Sequence, residues 1–295
     1  MNIDWIAAYC TDDALFLWAL KDNAILEQSC RQSRPPAADF AAFEAGLLAQ
    51  IQMWLPASGA KTLVLAAGAF DPMAARRAPC TPLDTKGPVC LATQDSRLDL
   101  RFVTGIEQAT PLDLLGGEET CIAGFLALRP NFDGIILLAQ NRAVWVLISA
   151  GEIVGFQSFL TGELYNVLRQ PFGSSKIQDK NPLLKHEPFL GALSDAISRP
   201  ERLAAHLSTL RVQVQLSVHD DAHVQSALLG HLMGAELASA RPYWLGQSVV
   251  VLGSGLIASA YQEALRAQGT ITDIFPAQDC ALAGLAKVKE LTRNI

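Results

Sequence analysis

The hydrophobic positions of the first seventy residues fall into short runs of two kinds. Residues 4–9 and 14–20 are apolar and aromatic, the polar turn Lys21-Asp22-Asn23 follows, and residues 24–30 form the next run. Short strands around a polar turn predict a hairpin. Across 39–55 the period changes: Phe40, Phe43, Leu47, Leu48, Ile51 and Leu55 recur at helical spacing, with Asp39 placed as N-cap and Pro56 as a stop. Residues 61–67 are then a continuous apolar run closed by Gly68, the pattern of a strand buried on both faces of a parallel sheet. The order is β-β-β-α-β.

Residues 71–95 carry Pro, Arg, Thr and Cys without a period and predict a long loop. Loops of this length in a compact domain usually serve function. A strand is expected at 101–105 and a helix at 118–128. Strands follow at 134–139 and 143–149, and another at 153–160 after the turn Gly151-Glu152. This second series of three strands echoes the first. Helices dominate 161–240, residues 248–252 form a strand entering a helix at Gly255, and 271–275 form a last strand before a terminal helix. We therefore expect two α/β domains, 1–108 and 109–295, with the last helix free to return to the first lobe. A cleft between two such domains is where a nucleotide and a substrate would meet.

Composition narrows the function classes. Half of the 295 residues are hydrophobic and 18% are charged, which excludes disorder. Lys plus Arg is 23 against 29 Asp plus Glu, a net charge of −6 with no basic block, so neither nucleic acid nor an anionic membrane is an expected partner. The longest nearly apolar stretch, 134–150, is interrupted by Gln140, Asn141 and Arg142, so no bilayer-spanning helix is expected. The opening MNIDWIAAYC has no basic region before an apolar core, which reads against a secretory signal. Six scattered cysteines without a two-residue spacing suit reduced thiols in a cytoplasmic protein better than a disulfide framework or a metal site.

Four segments carry candidate chemistry. In VVVLGSGLIASAYQEAL (249–265) a strand runs into Gly253-Ser254-Gly255 and a helix, so bare backbone and a helix N-terminus can meet a ligand. This is the adenosine turn of a sugar kinase, a dinucleotide fingerprint using Gly253, Gly255, Ala258 and Asp273, or a strand-to-helix turn with no ligand. In DLLGGEET (113–120), Glu118 and Glu119 open a helix. They are either dipole-stabilised acids or a general base for a sugar hydroxyl. Thr161-Gly162-Glu163-Leu164 is either a helix cap or part of a substrate wall. His219 and His223, at i and i+4, would share a helix face and could hold a metal, although a solvated helix start explains HDDAH more simply.

The segments in order resemble the 2-keto-3-deoxygalactonate kinase family, sugar-acid kinases of the actin/hexokinase-like ATPase fold. The landmarks are Asp4-Trp5-Ile6-Ala7, Gly116-Gly117-Glu118-Glu119-Thr120, Phe159-Leu160-Thr161-Gly162-Glu163-Leu164, LLGHLMGAEL at 228–237, and Leu252-Gly253-Ser254 followed by Tyr261. The resemblance implies two domains, each a mixed five-stranded sheet opening with a β-meander and flanked by helices. It also implies phosphoryl transfer from ATP, with Mg²⁺, to a hydroxyl of a keto-deoxy sugar acid. Glu118 or Glu119 would be the catalytic carboxylate, and Gly253, Ser254 and Gly255 would hold the adenosine side. Thr11, Asn141 and Arg142 would lie nearest the phosphates, and Gly68, Thr161 and Glu163 on the substrate side.

Three loops depart from the family pattern. The first phosphate loop, Asp-x-Gly-Thr-Thr in the family, corresponds to Ala8-Tyr9-Cys10-Thr11-Asp12-Asp13. The second, Gly-Thr-His-Ser-Lys-Trp, corresponds to residues 139–145 and keeps only Trp145. The substrate loop, Cys-Gly-Met-x-Gly-Ser, reads Ala67-Gly68-Ala69-Phe70-Asp71-Pro72. Two functional readings therefore stay open: a sugar-acid kinase of weakened or lost activity, and a non-catalytic sugar-acid-binding or regulatory paralogue. Oligomeric state is open as well, since the apolar stretch 224–237 suits a core or a homodimer interface.

Overall fold

The computed structural model describes residues 3–32, 40–57, 59–68, 75–170 and 184–292. The chain opens with strands β1 (Trp5–Cys10), β2 (Leu15–Lys21) and β3 (Ala24–Arg31), then helix α1 (Phe40–Ile51) and β4 (Thr62–Ala67). Short strands β5 (Arg76–Arg77) and β6 (Val89–Cys90) precede β7 (Leu98–Phe102), β8 (Ile106–Ala109) and β9 (Leu112–Leu115). Helix α2 (Glu118–Leu128) leads to β10 (Gly134–Ala139), β11 (Ala143–Ser149) and β12 (Glu152–Phe159). Helices α3 (Thr161–Arg169), α4 (His186–Ser198), α5 (Leu203–Gln215), α6 (Asp221–Ser239) and α7 (Arg241–Trp244) follow. The described chain closes with β13 (Val249–Gly253), α8 (Gly255–Ala267), β14 (Asp273–Phe275) and α9 (Ala277–Thr292).

Two compact units result. One gathers Met1–Phe132, Ile148–Gly155 and Ala277–Ile295; the other gathers Asp133–Leu147 and Phe156–Pro276. The first sheet runs β3-β2-β1-β4-β7-β6 and the second β12-β11-β10-β13-β14. In the first, β1 pairs antiparallel with β2 and parallel with β4, and β4 is parallel to β7. In the second, β10 and β13 are parallel, as are β13 and β14. Both sheets thus place three meander strands beside two later parallel ones, the arrangement of the actin/hexokinase-like ATPase fold. The central strands are parallel because helices cover them, and β1, β10 and β13 are buried along their whole length.

Several expectations need correction. The first sheet carries a sixth strand, the two-residue β6, where five were expected. Residues 71–95 are not loop throughout: β5 joins β8 and β9 in a small third sheet that the sequence reading missed. These strands are two to four residues long, too short to display a period, and Leu112 and Leu114 point outward at 89% and 45% exposure. The strand placed at 101–105 lies at Leu98–Phe102, where Leu98, Leu100 and Phe102 are buried and Asp99 and Arg101 face outward in a 2.8 Å ion pair. Charged residues on the open face of a half-buried strand hid its start. Asp39 and residues 69–72 lie outside the described residues, so the cap of α1 and most of the altered substrate loop are not characterised.

The stretch 224–237 is core. Val224, Leu228, Leu229, Leu232, Met233 and Leu237 join one buried cluster with Phe189 and Leu193 of α4, and with Trp145 and Tyr261. Ahead of α6, Asp220 is the N-cap, its carboxylate accepting the His223 N–H at 2.8 Å. His219 precedes the helix, so the two histidines do not sit on a shared helical face. Their rings stack at 3.8 Å instead.

Candidate active site

In the first unit, functional groups gather where β1 and β4 end. Ligands of open α/β sheets bind beyond the carboxyl ends of parallel strands, and the helix that starts there here is α2. Gly68 follows β4 with φ +95°, and a Cβ on it would overlap the Cys10 carbonyl oxygen at the end of β1. Gly117, the N-cap of α2, has φ +117°, and its Cβ would lie 2.7 Å from the Gly68 Cα. Two glycines are needed for β1, β4 and the start of α2 to close on one another.

That approach sets the two acids apart. Glu118 is half-buried and its carboxylate accepts the Gly116 N–H at 2.7 Å. Glu119 is fully buried, with both carboxylate oxygens accepting from the Gly117 N–H at 2.8 and 3.1 Å. Burial, reinforced by the neighbouring Glu118 charge, pushes the Glu119 carboxyl up to about 8 against the pull of backbone N–H groups. It therefore holds its proton at neutral pH. Arg76, whose guanidinium donates to the carbonyls of Thr81 and Pro82 at 2.7 and 2.6 Å, also acts on Glu119 in the lowering direction. The sequence reading missed this arginine because nothing in its spacing links it to α2.

The β1–β2 turn closes on itself. Thr11 N–H donates to the Ala14 carbonyl at 2.8 Å, and its hydroxyl donates to Asp13 at 2.8 Å and accepts from the Ala14 N–H at 3.0 Å. Asp12 and Asp13 are exposed there. Carboxylates are suitable ligands for Mg²⁺ and poor neighbours for bare phosphate.

In the second unit the corresponding ends are those of β10 and β13, paired so that Ala139 lies opposite Gly253. A Cβ on Gly253 would stand 2.6 Å from the Ala139 carbonyl oxygen. Lacking one, the strands hold the 140–142 turn and the Ser254–Gly255 turn side by side. Ser254 and Gly255 are exposed, Gly255 adopts φ +70°, and the space around its missing Cβ is open. This start of α8 is accessible backbone. The start of α3 clasps the other turn: Glu163 N–H donates to the Asn141 carbonyl at 2.9 Å, and Asn166 donates to the Asn141 side-chain oxygen at 2.9 Å. A Cβ on Gly162 would sit 2.6 and 2.8 Å from the Asn141 and Gln140 carbonyls. Arg142 is half-buried in that turn and Glu163 is exposed. Thr161 is buried, its hydroxyl donating to Glu236. Glu236 is a group that sequence reasoning missed; its only signal was an acid inside an apolar helical run.

The structure thus brings Thr11, Gly68, Glu118 and Glu119 into one neighbourhood, and Asn141, Arg142, Thr161, Glu163, Gly253, Ser254 and Gly255 into another. The first presents a half-buried carboxylate, Glu118, and the second exposed backbone at Ser254 and Gly255. Comparison with known proteins gives the family and the fold. The family model described as 2-keto-3-deoxy-galactonokinase matches residues 13–288. "Probable 2-dehydro-3-deoxygalactonokinase" of Rhizobium meliloti (strain 1021) is 27% identical over 203 residues, covering 66% of this chain and 65% of that protein. "2-dehydro-3-deoxygalactonokinase" of Escherichia coli (strain K12) is 26% identical over 185 residues, covering 62% and 61%. The match spans just under two thirds of the length of each curated relative. "Crystal structure of a putative 2-dehydro-3-deoxygalactonokinase protein from Sinorhizobium meliloti" superposes with a TM-score of 0.82 at 22% identity, over 97% of this chain and 96% of that one. It has the same fold.

Proposed function

Because the chain belongs to the 2-keto-3-deoxy-galactonokinase family, we propose that it transfers the γ-phosphoryl group of ATP to a hydroxyl of 2-keto-3-deoxygalactonate or a closely similar keto-deoxy sugar acid. The observation that carries this reading is the match over residues 13–288 together with a carboxylate pair held at the start of α2. In the proposed step the acceptor hydroxyl attacks the γ-phosphorus, Glu118 takes the hydroxyl proton, and the bond to the ADP oxygen breaks. Glu118 is assigned the base because its side chain is accessible, whereas Glu119 is buried and protonated. Glu119 supports the loop that aims Glu118.

Gly253, Ser254 and Gly255 would take the adenosine side, where open backbone at a helix start accommodates a flat ligand. Thr11, Asn141 and Arg142 would be the polar groups nearest the phosphates. Gly68, Thr161 and Glu163 would be the groups on the substrate side. Asp12 or Asp13 would hold Mg²⁺, which neutralises phosphate charge when bound. Phosphoryl transfer is mostly positioning and charge neutralisation, so turns without phosphate-loop glycines predict slow turnover. A cytoplasmic setting suits the substrates, and among the described residues no helix is long and apolar enough to cross a membrane.

The self-closed, acidic β1–β2 turn is the one observation that favours the alternative, a binder of the sugar acid without transfer. The test is ADP release by the purified full-length chain with Mg-ATP, with and without 2-keto-3-deoxygalactonate. The kinase reading expects acid-dependent ADP. Calorimetric binding of the acid with no acid-dependent ADP would establish the binder instead.

A further inference from the structure

The second unit buries an acid that the proposed chemistry does not use. Glu236, on α6, is 3% exposed. Its Oε1 accepts the Trp145 indole N–H at 2.7 Å, and its Oε2 accepts the Tyr261 hydroxyl at 2.6 Å and the Thr161 hydroxyl. Burial raises its carboxyl, and the groups that oppose this are these three uncharged donors. An apolar side chain would fill the same space without the desolvation cost, and buried charges are often dispensable for stability. A carboxylate at this place therefore calls for a reason other than packing.

Its three partners supply one. Trp145 stands on β11, which opens directly after Arg142. Thr161 begins α3, whose Gly162 and Glu163 lie against the Gln140 and Asn141 carbonyls. Tyr261 stands on α8, which starts at Gly255. The Trp145 and Tyr261 rings meet edge to face at 6.4 Å. One carboxylate thus ties together the three elements that carry both turns of the second unit. We propose that Glu236 is a positioning residue for the nucleotide, fixing through Trp145, Thr161 and Tyr261 the spacing between the 140–142 turn and the Ser254–Gly255 turn. This rests on the reading of those turns as the ATP side.

The test is Glu236→Gln in the full-length chain, with ATP and 2-keto-3-deoxygalactonate varied separately in steady-state kinetics, ATP binding by calorimetry, and thermal melting. The amide keeps the volume but cannot accept from all three donors. The expected result is an ATP KM and Kd raised about tenfold, the size of one buried hydrogen bond, and a smaller rise of about threefold in the KM for the acid, transmitted through Thr161. A change that only loosened the fold would lower the active fraction, and so kcat, without separating the two KM values. Tyr261→Phe, which removes one hydroxyl, is expected to raise the ATP KM by about threefold, and it decides the matter if Glu236→Gln does not fold. Folded variants with unchanged ATP affinity, or with both KM values moving together, overturn the role of Glu236. Wild-type protein that binds no ATP overturns the kinase reading itself.

Discussion

Each of the two units ends adjacent parallel strands at its own cluster of candidate groups, with the same order of its first five strands, yet the two furnish those ends differently. In the first, β1 and β4 lead to acids: Asp12 and Asp13 on a turn, Glu118 and Glu119 at the start of α2. In the second, β10 and β13 lead to turns with no acid, Gln140-Asn141-Arg142 and Ser254-Gly255. Each site is backed by one buried glutamate, and the pair shows how environment divides the same side chain. Glu119 has backbone N–H groups and a like charge beside it, so burial wins and it stays neutral at pH 7. Glu236 has three side-chain donors from three elements, and these oppose the upward push of burial without reversing it. Burial pushes both carboxyls the same way, and what differs is the kind of donor that opposes it: backbone N–H groups at Glu119, three side chains at Glu236. In the proposed reading, a scaffold used twice carries proton transfer in one copy and nucleotide positioning in the other.

Four substitutions test this division. The largest effect is expected from Glu118→Gln, which should lower kcat by about 10²–10⁴, the usual worth of a general base, while calorimetric ATP affinity stays as in wild type. Loss of ATP affinity instead would break the assignment of roles to the two regions. Next is Gly68→Ala. Its Cβ meets the Cys10 carbonyl at φ +95°, so backbone must shift, and chemical denaturation should show a loss of about 3 kcal/mol.

Glu119→Gln should be pH-dependent. The folded-state value near 8 lies above the unfolded 4.5, so the folded chain holds this proton more tightly between those values. The contribution of the group to stability is full below pH 4.5 and is lost as pH rises through 8. The melting temperature of Glu119→Gln should therefore rise relative to wild type between pH 5 and 8, by the equivalent of about 2–3 kcal/mol. A difference independent of pH would mean that Glu119 is ionised in the folded chain and that burial does not hold its proton. The smallest effect is expected from Gly255→Ala, where φ is +70° but the surroundings are open: about 1 kcal/mol by denaturation. Equal costs at Gly68 and Gly255 would show that the first site is no more tightly closed than the second.

Much of the frame was legible because its pattern is local. The helix at Glu118–Leu128 and the strands Gly134–Ala139 and Ala143–Ser149 stand at the expected bounds. Continuous burial made β10 an unbroken apolar run. Strands β8 and β9 escaped because each is four residues long and two of the three leucines of β9, Leu112 and Leu114, face outward, and the start of β7 was hidden by Asp99 and Arg101 on its open face. At the site, Gly116-Gly117-Glu118-Glu119 marked the place of the acids, but a sequence does not say which of two neighbouring glutamates turns inward. That depends on Gly117 resting on Gly68. The role of Glu236 was out of reach for the same reason, since Trp145, Thr161 and Tyr261 meet it only in the folded chain.

The most direct test of the central claim is phosphorus NMR of Mg-ATP and 2-keto-3-deoxygalactonate incubated in parallel with wild-type and Glu118→Gln protein. The account predicts a new phosphate-ester resonance growing together with ADP in the wild-type sample and absent from the variant, which still binds ATP. An ester formed equally fast by both proteins, or by neither, would contradict it.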